Sequence, residues 1–178
     1  TELNKYSYSD YSKIECILSS KEINGINFSN YQFNHDESKL LISSETESIY
    51  RYSSKSNFYV YDITASKLHP LTDFSLGKQR LAEFSPSGDK IAFVRDNNIF
   101  ISSLIDSSEI QITANGKINE TINGATDWVY EEEFSFHKGF EWSLDGSKLA
   151  YYSFFEGDVK EFQICLLYTS PSPRDLKL

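Results

Sequence analysis

The residues that are best suited to bind a ligand or take part in chemistry are three consecutive glutamates, Glu131, Glu132 and Glu133. They lie between two aromatic residues in the segment NGATDWVYEEEF. Adjacent carboxylates repel one another and raise each other's pKa unless a positive group relieves them. An ammonium group has three N–H donors and suits two neighbouring carboxylates. The segment is therefore either a solvated acidic surface or a binding site for a cation such as an amine.

The strength of such a site depends on its exposure to water. A pair of unit charges 4 Å apart is worth roughly 4 kcal/mol at an effective dielectric constant of 20, but about 1 kcal/mol in bulk water. Exposed ion pairs contribute about 0–1 kcal/mol. Partial burial of the glutamates would therefore convert an acidic surface into a recognition site.

The glutamates are predicted to lie on a short helix. Asp127 is a suitable N-cap, and acidic residues are favoured in the first turns of a helix. Trp128 and Glu132 share one side of such a helix, and Tyr130 and Phe134 form another pair four residues apart. Because so short a helix is marginal on its own, we expect buried aromatic residues to hold it in place.

The rest of the chain has the composition of a β-sheet protein. Its 178 residues include 12 Tyr and 13 Phe, with abundant Ser, Ile and Thr. This length fits one domain, or part of a larger one. The net charge of -9 leaves no basic surface to neutralise phosphates, so we expect no nucleic-acid partner.

Metal and cofactor chemistry are not indicated by the sequence. The two cysteines, Cys16 and Cys165, are too few for a disulfide framework and badly spaced for a metal site. We therefore expect no metal and no cofactor. No apolar run approaches the length of a membrane span and no signal peptide opens the chain, so we expect an interior or processed piece of a longer protein.

A sequence repeat organises the chain. FNHDESKLLIS begins at Phe33, FSPSGDKIAFV at Phe84 and WSLDGSKLAYY at Trp142, and in each copy a lysine follows the aromatic residue six positions later. The last two copies carry Gly88 and Gly146 in the turn, where the first copy has Glu-Ser. This pattern predicts a strand that ends in an aromatic residue, a tight polar turn, and a second strand that enters the core.

Two further strands are predicted in each of the first two copies, within FYVYDITASKLHPLT and NIFISSLIDSSEIQIT. Each repeat thus resembles a four-stranded antiparallel unit, but the copies begin more than 50 residues apart. A compact propeller blade takes roughly 40–45 residues, so we expect insertions. One is predicted around SSETESIYRYSSKSN and the other is ANGKINETINGATDWVYEEEF. Insertions in repeat proteins cluster on one face and often bind ligands.

We therefore predict an all-β fold, a partial β-propeller over residues 1–164 with about three four-stranded antiparallel blades. Its inserted segments include the short helix that carries the glutamates. Closed propellers have roughly 4–8 blades, so three blades leave unpaired edge strands. A β-sandwich is the alternative, and the recurrence of the aromatic residue and the lysine at the same spacing favours the propeller.

The segment from Asp127 to Glu133, DWVYEEE, resembles without a gap the glutamate motif of the dipeptidyl peptidase IV family, in the prolyl oligopeptidase clan of serine peptidases. In that family a propeller with inserted segments covers an α/β-hydrolase domain. The resemblance implies that Glu132 and Glu133 bind the free α-ammonium group of a peptide substrate. It gives the other polar and aromatic residues of the motif a supporting role: Asp127, Trp128, Tyr130 and Glu131.

A second resemblance concerns Arg51. The family has an arginine in an insertion ahead of a Tyr-x-x-Tyr-Asp-like strand, and Arg51 lies ten residues before Tyr61 in YRYSSKSNFYVYD. The resemblance implies that Arg51 holds the carbonyl oxygen of the second substrate residue and orders the glutamates. A plain surface or ion-paired arginine is the alternative.

The implied activity is an exopeptidase that removes Xaa-Pro or Xaa-Ala dipeptides from peptide N termini. By binding the amine, the acidic cluster would place the cleaved bond two residues into the peptide, and an acetylated N terminus would lose this interaction. The implied partner is therefore a peptide with a free amine. Family members are often homodimers and act outside the cytoplasm, in the periplasm, as secreted proteins or anchored to a membrane.

The catalytic nucleophile is not expected in this chain. The 178 residues contain no G-x-S-x-G sequence, and His35, His69 and His137 show no Ser-His-Asp pattern. The family carries its catalytic triad in a C-terminal α/β-hydrolase domain. The resemblance thus implies that the hydrolase domain is missing here and that this fragment is inactive alone.

The last residues differ from the rest of the chain. The segment 165–178, CLLYTSPSPRDLKL, contains Pro171 and Pro173 and has no strand pattern. It matches neither the repeat nor the family. We interpret it as a non-native or disordered tail and exclude it from the predicted domain.

Two other functions are consistent with the repeat. A non-catalytic propeller used for protein interaction would share FSPSGDKIAFV, so only the glutamate segment and Arg51 favour the peptidase. A tripeptidyl peptidase would carry a related amine site at a shifted position. Substrates with one or two residues ahead of proline separate the two peptidases.

Overall fold

The strands form antiparallel sheets, as a computed structural model shows for residues 1–160. Within this range two sheets have four strands and three sheets have two. The chain begins with a hairpin of β1 (Glu2–Tyr6) and β2 (Lys13–Ser19). The predicted all-β class and partial propeller are confirmed.

The two four-stranded sheets are meanders in which each strand pairs with the next, as in propeller blades. The first blade comprises β3 (Phe28–Phe33), β4 (Lys39–Ser48), β5 (Ser54–Asp62) and β6 (Lys67–Pro70). A short 3-10 helix, Phe74–Leu76, precedes the second blade. The second blade comprises β7 (Arg80–Phe84), β8 (Lys90–Arg95), β9 (Asn98–Ser103) and β10 (Glu109–Gln111).

Up to residue 160, the third repeat is described only in part. Strands β12 (Phe140–Trp142) and β13 (Leu149–Tyr151) form a hairpin. The next strand, β14 (Ser153–Phe155), pairs instead with β11 (Thr121–Asn123), a strand of the second insertion. The described residues therefore hold two complete blades and a two-stranded part of a third. The segment 165–178 lies outside the described residues, and its interpretation as a tail stays a prediction.

The same turn closes the first hairpin of every repeat. In each copy the residue after the aromatic accepts a hydrogen bond, through its side chain, from the backbone N–H of the repeat lysine. The acceptors are Asn34 Oδ1 at 2.8 Å, Ser85 Oγ at 3.1 Å and Ser143 Oγ at 2.9 Å. The recurring sequence pattern thus encodes one recurring turn.

One position of this turn requires a left-handed backbone. Its φ is 73° at Gly88 and 67° at Gly146, and 57° at Glu37 in the first copy. Glycine adopts this conformation without steric cost, whereas a residue with a Cβ atom does not. Glu37 is therefore a strained replacement of the turn glycine.

Both faces of each blade are buried because alternate residues of a strand point to opposite sides. Leu41 of β4 packs toward the second blade, whereas its neighbours Leu40 and Ile42 pack toward the N-terminal hairpin. In β8, Phe93 faces the first blade and Val94 faces the third repeat. This stacking explains why these strands are continuous apolar runs.

The core between the two complete blades is one cluster of buried apolar side chains. Its members are Leu41, Val60, Leu71, Phe84, Ile91, Phe93 and Phe100. The rings of Phe93 and Phe100 are stacked, with centroids 5.6 Å apart. The blades are thereby held as rigid neighbours, which fixes the relative positions of the insertions that they carry.

The first insertion is an extension of the hairpin between β4 and β5. The pairing becomes irregular between Ser44 and Glu47, and then continues to Ser48 opposite Ser54. The Glu47 carboxylate lies 2.8 Å from Lys78 Nζ and 3.1 Å from Lys55 Nζ, so ion pairs stabilise the extension. Arg51 lies in the loop at its tip.

Candidate functional site

The glutamates lie on a short helix, α1 (Trp128–Phe134), as predicted. Asp127 is its N-cap, and the Asp127 Oδ1 atom accepts a hydrogen bond of 2.9 Å from the Tyr130 backbone N–H. Ser135 ends the helix in a left-handed conformation with φ 53°. Local sequence chemistry therefore defines where this helix begins and ends.

Glu131 points into the protein and is fully buried, with 0% of its surface exposed. Its Oε1 atom accepts hydrogen bonds from the backbone N–H groups of Tyr52, at 2.7 Å, and Ser53, at 2.9 Å. These two residues directly follow Arg51 in the first insertion. Glu131 thus joins the two insertions through backbone groups.

The environment of Glu131 favours its ionised form. Burial alone would raise the pKa of this carboxyl group, but the two backbone N–H groups and the Arg80 charge together hold the pKa below its ordinary value of 4.5. Hydrogen bonds and a positive charge thus outweigh the desolvation of the carboxylate. Glu131 is a charged structural link at neutral pH.

Arg51 and Glu132 are brought together from the two insertions. Arg51 Nε lies 3.3 Å from Glu132 Oε2. The Glu132 side chain is only 16% exposed, whereas the Arg51 side chain is 68% exposed. Because water surrounds the arginine, this ion pair contributes only about 0–1 kcal/mol to stability. The pair positions the two groups next to each other at the surface.

Glu133 is the exposed member of the three glutamates. Within residues 1–160 no hydrogen bond or ion pair reaches its carboxylate, whereas Glu132 is paired with Arg51. The group of Arg51, Glu132 and Glu133 therefore carries one uncompensated negative charge. This arrangement can accept a cation that donates hydrogen bonds.

The aromatic residues of the helix are more exposed than expected. Trp128 is 53% exposed and does not anchor the helix. Tyr130, which is also partly exposed, makes ring contacts with Phe134, Phe136 and Phe154 at centroid distances of 5.6, 6.4 and 4.9 Å. The expectation of buried aromatic anchors is therefore wrong in detail, because the buried anchor is Glu131.

The entry to the helix is fixed on the second blade. The backbone N–H of Asn123 donates to the carbonyl oxygen of Asn97 at 3.0 Å. Gly124 has φ 72°, and a Cβ atom there would lie 2.7 Å from Ile99 Cγ1. The Asn-Gly pair is thus a point of close packing against the turn between β8 and β9.

Arg80 influences the site through its charge, but it was not predicted from the sequence. Burial lowers the pKa of Arg80, while the negative charge of Glu131 and the neighbouring Tyr50 oppose this shift. Arg80 stands at the start of β7 without any motif around it, so only the tertiary structure identifies it. The backbone donors of Tyr52 and Ser53 were also missed, because backbone groups leave no signal in the residue types.

Among residues 1–160 no group of three or more His, Cys, Asp or Glu side chains is arranged to hold a metal ion. No helix in the same range is long and apolar enough to cross a bilayer. The chemistry of the site is that of carboxylates and one guanidinium group.

The sequence matches a known protein family over most of its length. Residues 34–177 match the family described as dipeptidyl peptidase IV (DPP IV) N-terminal region. The matched range includes residues 165–177, so the expectation that the segment 165–178 does not match the family is wrong, whereas its interpretation as a non-native or disordered tail stays a prediction.

Individual relatives and a solved structure agree with this match. The chain is 38% identical over 139 residues to a probable dipeptidyl-aminopeptidase B of Podospora anserina, covering 77% of this chain and 15% of that protein. It is 35% identical over 144 residues to prolyl endopeptidase FAP of Homo sapiens, covering 80% of this chain and 19% of that protein.

The crystal structure of Porphyromonas gingivalis dipeptidyl peptidase 4 is similar with a TM-score of 0.85 and 36% identity, over 91% of this chain and 23% of that chain. The chain thus spans less than a quarter of the length of each of these relatives.

Proposed function

This chain belongs to the dipeptidyl peptidase IV N-terminal region family, and on that premise we propose that it recognises the free N terminus of a peptide substrate within a serine exopeptidase. The full-length protein would remove Xaa-Pro or Xaa-Ala dipeptides. The propeller portion would admit and position the peptide, and its two insertions would hold the ammonium group.

The observation that carries the proposal is the ion pair between Arg51 and Glu132, with Glu133 exposed beside it. Two insertions that are far apart in sequence meet at this point, and they leave one negative charge without a partner among the described residues. An α-ammonium group has the charge and the three donors that this arrangement lacks. A charge-assisted hydrogen bond to a carboxylate is about twice as strong as a neutral one.

Amine binding would determine which peptide bond of the substrate is cleaved. With the ammonium group held by Glu132 and Glu133, the distance from the amine site to the nucleophile determines how many substrate residues precede the cleaved peptide bond. Arg51 would hold the carbonyl oxygen of the second substrate residue, since its exposed guanidinium has donors free of Glu132. Holding both groups fixes the orientation of the substrate and lowers the entropic part of the barrier.

The remaining components belong to the full-length protein. We assign the Ser, Asp and His of the catalytic triad to an α/β-hydrolase domain, since this sequence has no G-x-S-x-G elbow. The isolated chain would accordingly be inactive. An extracytoplasmic location and a homodimer complete the proposal.

The test uses the full-length protein and two reporter substrates, one with a free amine and one with an acetylated amine. Glu132→Gln and Glu133→Gln are each expected to lower kcat/KM for the free-amine substrate by about 2–4 kcal/mol, roughly 30- to 1,000-fold. Acetylation should slow the wild-type enzyme to a similar extent and should have little further effect on either variant. Equal wild-type rates on both substrates would end the proposal.

Glu120→Gln is the matched control, because Glu120 lies in the same insertion but pairs with Lys117. It should keep both the activity and the sensitivity to acetylation. The alternatives give different results. Faster cleavage of Xaa-Xaa-Pro than of Xaa-Pro reporters indicates a tripeptidyl peptidase, and rates unchanged in the Glu132 and Glu133 variants favour a protein-interaction propeller.

A further inference from the structure

Behind the glutamate helix lies a cluster of buried polar atoms that the proposed function does not use. Among the described residues, six buried side-chain nitrogen and oxygen atoms have no hydrogen-bond partner, and four of them belong to this cluster. They are Arg80 Nε, Arg80 Nη2, Glu131 Oε2 and Ser53 Oγ. The set contains two donors, one acceptor and one hydroxyl group, so its members are complementary in charge and in hydrogen bonding.

The sheet register brings these residues together. Ser56 and Gln79 exchange backbone hydrogen bonds of 2.8 and 2.9 Å, which joins the base of the first insertion to the chain just before β7. Arg80 follows Gln79 directly. Ser53 lies on the other side, where its backbone N–H donates to Glu131. This register brings the start of β7 near the loop that binds Glu131, so the charges of the buried guanidinium and of the carboxylate interact.

A buried carboxylate is costly unless a positive charge or hydrogen bonds compensate it. One oxygen of Glu131 is satisfied by the Tyr52 and Ser53 backbone groups. The second oxygen has no hydrogen-bond partner among the described residues, and the positive charge of Arg80 acts on the carboxylate from beyond direct contact. Removing that charge would leave Glu131 with a net negative charge in a buried site.

We propose that Arg80 is a positioning residue: its buried guanidinium is the counter-charge of Glu131, and through Glu131 it holds the loop that carries Arg51 against the helix that carries Glu132 and Glu133. The predicted effect of Arg80 on substrate binding rests on the proposed function. Its predicted effect on the loop does not. Arg80 itself does not touch the substrate. Its role links both blades to the geometry of the amine site.

The first measurement is hydrogen exchange of the Tyr52 and Ser53 amides in the full-length protein, followed by mass spectrometry. Arg80→Met keeps the length of the side chain and removes its charge. We expect exchange at these two amides to accelerate by at least about tenfold, because their acceptor is weakened. Exchange in the core strand β8 should not change. Lys67→Met, which removes an exposed charge from β6, is the control and should leave both regions unchanged.

Two further variants separate a specific link from a general loss of structure. Arg80→Lys keeps the charge and should restore slow exchange at Tyr52 and Ser53. In the Glu131→Gln background, adding Arg80→Met should accelerate exchange much less than it does in the wild type, because the neutral amide needs no counter-charge. Equal acceleration in both backgrounds overturns the proposal. If Arg80→Met accelerates hydrogen exchange throughout the protein, the Arg80→Lys variant is decisive. Fast exchange at the Tyr52 and Ser53 amides in Arg80→Lys overturns the proposal.

The kinetic measurement distinguishes this inference from the proposed function. If both are correct, Arg80→Met raises KM for the free-amine substrate by about tenfold with a smaller change in kcat, since a binding group is displaced. Accelerated exchange with an unchanged KM supports the positioning role of Arg80 and counts against amine binding at Glu132 and Glu133. Unchanged exchange at Tyr52 and Ser53 shows that Arg80 does not hold the loop.

Discussion

The Oε1 atom of Glu131 lies 2.7 Å from the backbone nitrogen of Tyr52, a residue 79 positions earlier in the chain. This contact connects a helix inserted after the second blade to a hairpin inserted in the first. A glutamate is expected to lie at the surface, yet Glu131 is the buried anchor of the helix. The positions of Glu132 and Arg51 follow from it.

Glu131→Leu tests this anchor. The substitution leaves the buried N–H of Ser53 and the partly buried N–H of Tyr52 without an acceptor, at a cost of roughly 1–3 kcal/mol each. We expect the midpoint of denaturant unfolding of the full-length protein to fall clearly. Glu15→Leu, at an exposed position on β2, is the control and should leave the midpoint unchanged. Equal effects of the two substitutions would show that Glu131 is not an anchor.

The pH dependence of stability offers a second test. Because the pKa of Glu131 is lower in the folded state than its ordinary value of 4.5, ionised Glu131 stabilises the fold above about this pH. This stabilisation is lost as the pH falls through the lowered pKa. The stability difference between wild type and Glu131→Gln should therefore be constant near neutral pH and shrink below pH 4.5. A difference that grows in acid would contradict this assignment.

Comparison with Glu131→Gln is necessary because other carboxylates also resist protonation. Hydrogen bonds from neighbouring serines lower the pKa of Asp106 and Asp145 to about 2. Acid unfolding of the wild type alone would therefore report several groups. The difference between the two proteins isolates the contribution of Glu131.

Gly124→Ala is expected to disrupt the entry to the glutamate helix. The residue has φ 72°, and the new Cβ atom would lie 2.7 Å from Ile99 Cγ1 and 3.1 Å from Val94 Cγ2. Strain in the backbone and overpacking together should cost about 2–4 kcal/mol, measured by denaturant unfolding. Gly25→Ala is the control, since it has φ 79° but nothing within 4 Å of the added atom. The excess loss at Gly124 measures the packing contribution.

Arg51→Met should affect substrate binding rather than stability. The Arg51 side chain is 68% exposed, so losing its ion pair with Glu132 should change the unfolding midpoint very little. If Arg51 orders the amine site, KM for a free-amine Xaa-Pro reporter should rise by about tenfold or more. Lys55→Met, in the same hairpin, is the control for general effects of charge. An unaltered KM would identify Arg51 as an ordinary surface residue.

Glu37→Gly should stabilise the protein. Glu37 has φ 57° at the position where the other two repeat turns have Gly88 and Gly146. Relief of the left-handed strain is worth about 1 kcal/mol, partly offset by the greater freedom of glycine in the unfolded chain. We expect a higher unfolding midpoint for Glu37→Gly than for wild type, and no increase for Glu37→Ala. A lower midpoint for the glycine variant would show that the Glu37 turn is not strained.

The sequence alone determined the features that depend on neighbours within a few residues. The repeat turn follows from the aromatic, the polar residue after it and the lysine, because their hydrogen bonds close within one hairpin. The helix cap at Asp127 is equally local. The glutamate motif and the two insertions were visible for the same reason, since each departs from a regular pattern in the linear chain.

The tertiary structure decided which of these features meet, and which side chains are buried. Sequence reasoning expected aromatic anchors for the helix, but Trp128 is exposed and Glu131 is buried. The pairing of β14 with β11 and the place of Arg80 were also not predictable. These contacts join residues far apart in the chain, and they depend on how packed blades orient their insertions rather than on local preference.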